Sequence, residues 1–396
     1  MTTTLSRRAF LTRSALIGCS AAASPMLTPV SFASAPWDTR LVVLILRGGM
    51  DGLDVVQPYG DPQFAGLRQS FGFDDTTALD LDGFFALHGA LADLYPLWQR
   101  GELAFAHAVS TPYRDKRSHF DGQDMLEAGT VGRAGSSDGW LNRMLQHRPG
   151  VDAETAYAVG RDQMRVLLGP APVAEWSPDA SLAASPAALR LVTMAAQEDP
   201  LFRDAILEAI ALSGSGEDRA SSQGMTPPTT AADQHIGIAA FAAEKLRGDT
   251  RIASFSLNGW DTHADQATAI ATPLGRLSDT ILALRAGLGP DWSKTAIIAM
   301  TEFGRTAREN GTKGTDHGTA GAVLLAGGAI RGGRVYGQWP GLAEADLYQG
   351  RDLMPTRDVR AIAGWLMRDL LGLPRAEIEQ VIFPGLSLET NPGLIL

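Results

Sequence analysis

Residues 40–46, RLVVLIL, run without a polar interruption after Arg40 and stop at Gly48-Gly49. An apolar run of this length with no alternation suits a strand covered on both faces, as in a parallel sheet between helices. Similar runs recur at 102–109 (ELAFAHAV), 251–257 (RIASFSL), 295–301 (TAIIAMT) and 322–328 (AVLLAGG). Amphipathic stretches fall between or after them at 230–247, 264–286 and 357–371, and a shorter helix-like segment, GALADLYPLWQRG, precedes the second run despite Pro96. Strands alternating with helices predict an α/β fold with a doubly wound sheet.

One segment breaks the alternation. Residues 213–230, SGSGEDRASSQGMTPPTT, offer almost nothing apolar to bury, which predicts a flexible loop within a single domain over 36–396. RGGR at 331–334 reads as a hairpin turn before VYGQWPG, and LRGGMDGLD lacks the glycine spacing of a dinucleotide loop. There is no Walker motif, internal repeat or coiled coil.

The amino terminus changes the expected compartment. Arg7-Arg8, with Phe10 and Leu11 behind it, a modest apolar segment and Ala33-Ser34-Ala35 form a twin-arginine signal over residues 1–35. The apolar segment falls short of the ~20 residues a membrane-spanning helix needs, so no transmembrane segment is expected in the mature chain. Leu16-Ile17-Gly18-Cys19 also resembles a lipoprotein processing box, with the five residues after Arg13 short of the usual ~7–15. Cleavage after Ala35 removes Arg7, Arg8, Arg13 and no acid, taking the formal charge from −10 to −13. It also removes Cys19, the single cysteine, so the fold must be held by packing without disulfides. The expected location is periplasmic or secreted, with the twin-arginine machinery as export partner. The acidic balance argues against nucleic acid as a partner.

In a doubly wound sheet ligands bind beyond the carboxyl ends of the strands. Asp51 and Asp54 follow the first run here; Arg114, Arg117, Ser118, His119, Asp121 and Asp124 follow the second. Asp261, His263 and Asp265 follow the third; Glu302 and Arg305, then Asp316 and His317, follow the fourth. Acids and imidazoles gathered on one rim would be poorly compensated without a cation or substrate to pair them. Asp261 and His263, two apart in a loop, can turn to one ion, and with His317 they make the three-ligand set of a catalytic zinc. Carboxylate oxygen with imidazole nitrogen suits a divalent metal such as zinc or manganese better than calcium. The competing expectation is that Asp261 merely caps a helix beginning near Ala264. Ser118 reads as the N-cap of a helix with Asp121 three residues on, or as a nucleophile toward an anionic ester near Arg114 and Arg117. His119 could serve as base, ligand or surface residue, whereas His88, His107, His147 and His235 have core or surface roles by default.

The ordered motifs LVVLILRGGMDGLDVVQPYGDP, RSHFDGQDMLEAG, GWLNRML, NGWDTHADQ, MTEFGRTARENGTKGTDHGTAGAVLLAGG and PTRDVRAIAGWL span nearly the whole chain after the signal. They resemble the exported bacterial family of unknown function DUF1501, grouped with the alkaline phosphatase and sulfatase superfamily. The resemblance implies an alkaline phosphatase-like three-layer αβα sandwich with a largely parallel sheet and a metal site at the strand ends. Its metal pattern is altered here. Arg47-Gly48-Gly49 stands where an acidic ligand follows the first strand, leaving Asp51 and Asp54 nearest; Asp261 and His263 are two apart where the pattern has four; Glu302-Phe303-Gly304 replaces Asp-His-Gly; His317 matches the last histidine. TPYRDKRSHF holds the nucleophile position without the sulfatase signature. The resemblance thus implies one metal site on Asp261, His263 and His317, with Glu302 and Asp51 left from an eroded second one and Arg117 and Arg305 as replacement positive charge. The expected activity is hydrolysis of a sulfate or phosphate ester on a small molecule or glycan, with Ser118 and His119 as catalytic groups. The alternative is a catalytically silent, sulfatase-like binding protein of the cell envelope.

Overall fold

A computed structural model describes residues 37–114, 117–131, 138–148, 150–152, 155–159, 164–176 and 234–396. The chain divides into two compact units. One, residues 1–32 with 177–229, lies wholly outside the described residues, as do the twin-arginine segment, Cys19, the Ala33-Ser34-Ala35 site and the 213–230 loop. The other, residues 33–176 with 230–396, is an αβα sandwich.

Its sheet has nine strands: β1 (Arg40–Arg47), β2 (Leu103–Ser110), β3 (Ala156–Val159), β4 (Ala174–Trp176), β5 (Ile252–Asn258), β6 (Thr295–Met300), β7 (Gly321–Ala326), β8 (Arg334–Tyr336) and β9 (Arg357–Asp358). The spatial order is β8-β2-β7-β6-β1-β5-β3-β4, with β9 also paired to β2. β1 lies parallel between β5 and β6, in register from Leu41 against Ile252 and Ala296. Its side chains alternate between two cores. Leu41, Val43 and Ile45 enter one; Val42, Leu44 and Leu46 enter the other. Each fully buried aliphatic side chain contributes roughly 1.5–3 kcal/mol, which explains why the central strand is wholly apolar from Leu41 to Leu46.

Helices close both faces. α4 (Gln234–Arg247) and α5 (Ala271–Leu288) pack on the second core through Ala239, Ala242, Leu274, Leu277 and Ile281. α6 (Val359–Leu371) packs on the first through Ile362, Leu366 and Met367. Asp358 starts α6 by accepting the Arg360 amide, and Gly372 ends it in the left-handed region at φ 71°. No helix among the described residues is long and apolar enough to cross a membrane.

Two elements differ from the sequence expectation. RGGR leads into β8, which pairs parallel with β2 and does not fold back on β7, so the segment is no hairpin turn. β7 is antiparallel to both β2 and β6. Its amino end therefore shares an edge with the carboxyl ends of the parallel strands. Antiparallel neighbours need no crossover helix, so residues 301–320 remain at that edge as one long loop.

Candidate metal centre

Three connections meet at that edge. The loop after β5 carries Asp261 and His263, the β6–β7 loop carries Glu302, Arg305 and His317, and α2 (His119–Ala128) begins with His119. The two loops are tied along their backbones: Thr315 N donates to Thr262 O at 3.2 Å and Gln266 N to Lys313 O at 2.9 Å. Glycine makes this approach possible. A Cβ on Gly314 would lie 2.3 Å from the His263 carbonyl carbon, and one on Gly318 equally close to that of Arg305. Ser118 caps α2, its Oγ accepting the Asp121 amide at 3.4 Å.

Asp261 is the hub. Its Oδ1 lies 3.0 Å from His263 Nε2 and 3.2 Å from His317 Nε2, and its Oδ2 lies 3.4 Å from His119 Nε2. The two nitrogens of His263 and His317 are 2.9 Å apart. Ligand atoms of His119, Asp261 and His317 all fall within 4.8 Å of one another. Asp261 is not a helix cap: the short helix Gln266–Ala269 starts after Asp265, with no side-chain cap bond.

The opposite side of each ring explains the arrangement. His119 Nδ1 meets Glu302 Oε1 at 2.7 Å, His317 Nδ1 meets Arg117 O at 2.9 Å, and Asp316 Oδ1 stands 3.6 Å from His263 Nδ1. The acceptors bonded to Nδ1 of His119 and His317 place the proton there in the neutral ring and turn the Nε2 lone pair toward Asp261, the tautomer a metal ligand needs, whereas Asp316 stands beyond hydrogen-bond distance of His263. The buried Nε2 of His119 has no hydrogen-bond partner. Two imidazole nitrogens and a carboxylate within 4.8 Å, with the buried nitrogen of His119 orphaned, suit a cation, and His263 adjoins this set through Asp261 and His317.

Charge follows the same logic. Burial works against the Asp261 carboxylate, but the Arg305 hydrogen bond and charge, with His317, hold its pKa at about 2. Burial lowers His317, keeping it neutral, while the Glu302 contact raises His119. Burial would raise Glu302; its bonds from His119, Gln123 and Gly48 N outweigh it and leave it lowered.

The remaining expected site residues are placed as follows. Glu302 is fully buried and stands behind His119, its oxygens taken by His119, Gln123, Gly48 N and Thr301. Asp51 is directed elsewhere, bound to Arg68 at 2.6 Å and Gln266 at 2.7 Å. Arg305, its side chain 0% exposed, is committed to the carbonyls of Gly48, Gly49, Trp260 and Thr315 and to Asp261 at 2.7 Å, so it cannot meet a substrate. Arg117 is exposed and adopts φ 52°, which aims its carbonyl at His317. Phe303, where the family resemblance led one to expect histidine, packs against His119 and His317 at centroid distances of 5.0 and 4.8 Å. His107 is a core residue whose pKa burial depresses to about 4. His88 accepts the Ala90 amide, and His235 pairs with Asp279. Sequence reasoning missed Gln123, Gln266 and the Arg117 carbonyl, because amides and backbone groups carry no ligand signature.

An αβα sandwich with a histidine–aspartate cluster at the carboxyl edge of its sheet is thus the class of protein defined. Residues 104–364 match the family described as protein of unknown function (DUF1501), and the chain belongs to that family. Among solved structures it is similar to the lipoteichoic acid synthase LtaP from Listeria monocytogenes, at 9% identity and TM-score 0.42 over 95% of this chain and 82% of that one. It is also similar to a protein in the alkaline phosphatase superfamily from Vibrio parahaemolyticus (12%, TM-score 0.36, 90% and 75%). A third is the C-terminal periplasmic domain of EcEptC from Escherichia coli in complex with Zn (10%, TM-score 0.29, 74% and 76%). No curated protein matches the chain.

Proposed function

We propose that this protein is an exported, metal-dependent hydrolase of a sulfate or phosphate ester. Asp261, His119, His263 and His317 would hold one divalent cation, zinc or manganese by the nitrogen-and-carboxylate donor set. The observation that carries this reading is the common orientation of the rings, each Nδ1 facing an acceptor and each Nε2 facing Asp261. When bound, such a cation supplies Lewis-acid polarisation of the ester oxygen. The chain's own contributions are positional. Glu302 and the Arg117 carbonyl orient two rings, Arg305 keeps Asp261 ionised, and exposed Arg117 offers charge to an incoming anion. Ser118 remains the nucleophile candidate at the start of α2, and the glycan or small-molecule identity of the ester belongs to this proposal.

A second reading is favoured by one observation: Ser118 Oγ is already engaged as the cap of α2. A sulfatase-like binding protein of the envelope would hold metal and ligand without turnover. The deciding measurement is metal content and hydrolysis of generic sulfate and phosphate esters with added Zn²⁺ or Mn²⁺, for wild type and a His263→Ala/His317→Ala double variant. Negligible metal in both proteins removes the metal-centred proposal; metal without hydrolysis selects the binding protein.

A further inference from the structure

Behind the cluster lies a second polar assembly, fully buried, that no expected role explains. Gln266 is 0% exposed, with Asp51, Asp54, Arg68, Thr262 and Thr315 buried around it. Its Nε2 donates to Asp51 Oδ2 and to Asp54 Oδ2, both at 2.7 Å. Its Oε1 accepts from the Thr262 hydroxyl at 2.9 Å and the Thr315 hydroxyl at 2.7 Å. One side-chain amide thereby uses both its donors and both its lone pairs. Acids on one side and hydroxyls on the other allow the amide only one orientation.

The four partners come from three parts of the chain. Asp51 caps and Asp54 belongs to the short α1 (Gly52–Val55) after β1. Thr262 stands between Asp261 and His263, and Thr315 stands two residues before His317. Thr315 also ties the loops through its backbone, donating to Thr262 O and accepting from Arg305 at 3.2 Å. Arg68 closes the far side by binding Asp51 and the carbonyls of Thr306 and Ala307.

We infer that Gln266 is a positioning residue: it fixes the spacing of the Asp261–His263 and His317 loops through Thr262 and Thr315, and so sets the metal affinity of the cluster. The inference rests on the proposed metal site. A buried amide with four bonds resists displacement, because any loop movement leaves a buried donor or acceptor unpaired. Sub-ångström spacing matters at a metal, where loss of supporting partners typically costs 10–100-fold in affinity.

The test measures Zn²⁺ affinity by chelator competition and the Co²⁺ d–d absorption spectrum on the purified full chain, with the Tm of each metal-free protein. Gln266→Leu and Gln266→Glu are expected to weaken Zn²⁺ about 10-fold or more and to alter the Co²⁺ spectrum. Thr315→Val, which removes one hydroxyl at constant shape, is expected to do the same in a smaller degree, and Thr315→Ser to restore wild-type values. Should the Gln266 variants not fold, the Thr315 pair carries the decision. Asn142→Ala breaks an equally buried amide in the helix Trp140–Gln146 and is expected to lower Tm while leaving affinity and spectrum alone. Variants that lose Tm but keep affinity and spectrum overturn the inference and leave the metal site standing. Wild-type protein that binds neither ion overturns both.

Discussion

Glu302 Oε1 lies 2.7 Å from His119 Nδ1, so a fully buried carboxylate orients a ring whose other nitrogen faces Asp261. In the metal-free protein this contact raises the His119 pKa, so the same carboxylate that aims the ring also helps it hold a competing proton. Glu302→Gln keeps an acceptor but removes the charge. Metal affinity at high pH is expected to fall about 10–100-fold, and the pH midpoint for uptake is expected to move downward as His119 releases its proton more readily. Zn²⁺ titrations at a series of pH values check both effects. An unchanged midpoint would show that His119 is not the group whose proton competes.

Arg305 joins Asp261 to four backbone carbonyls contributed by three loops. Lysine at this position keeps the charge but cannot span the acceptors, since a compact ammonium replaces a planar fork. Arg305→Lys is therefore expected to cost about 1–3 kcal/mol in stability, the range for leaving a buried carbonyl without its donor, since the partner Asp261 is itself 47% exposed. Urea unfolding of the metal-free proteins measures it. A midpoint within error of wild type would mean that the carbonyls find other donors.

Much of this was legible in the chain. The apolar runs of β1 and β6, and that of β5 broken only by two serines, are the sequence of strands buried on both faces, and their trailing acids and histidines marked the rim. Asp261 and His263 stood out because an acid and an imidazole sit two apart in one short loop. His119 was harder. A serine-histidine pair at a helix start reads as a cap, which Ser118 is, and nothing local shows that the ring meets residues 142 and 198 positions away. Glu302 and Asp51 resemble ligands by type and position, but their oxygens are consumed by partners distant in sequence. The antiparallel course of β7 escaped notice because AVLLAGG has the same composition as a parallel strand.

The glycines of GTDHGTAG carry a separate expectation. Gly314 and Gly318 sit where a Cβ would lie 2.3 Å from backbone atoms of His263 and Arg305, contacts that side chains cannot make. Alanine at either position must push a ligand loop aside, at about 1–3 kcal/mol, and weaken metal binding with it. Gly311→Ala, where nothing lies within 4 Å, is the matched control and is expected to behave as wild type. Equal Zn²⁺ affinity in all three variants would mean that the loops tolerate separation.

Asp54 provides a prediction about pH. Burial, then the negative charge of Asp51, raises its pKa, with His88, Arg68 and the Gln266 bond opposing. A carboxyl whose folded pKa exceeds its unfolded value contributes stability in acid that is lost as pH rises through the folded pKa. Asp54→Asn removes that titration while keeping an oxygen for the Gln266 amide. Its new Nδ2 would face Gln57 Nε2, and the Gln57 amide can accept it only by turning its Oε1 inward and giving up the bond to Gly72 O, a cost that does not change with pH. Relative to wild type, the variant is expected to gain stability as pH rises above about 4, by at most ~1.4 kcal/mol per unit, and then to hold a constant advantage. Histidine titrations at the rim occur in both proteins and cancel in the difference. Urea midpoints of the metal-free proteins between acid and neutral pH measure it, and a gap that stays constant across that range would place the Asp54 proton outside the folding equilibrium.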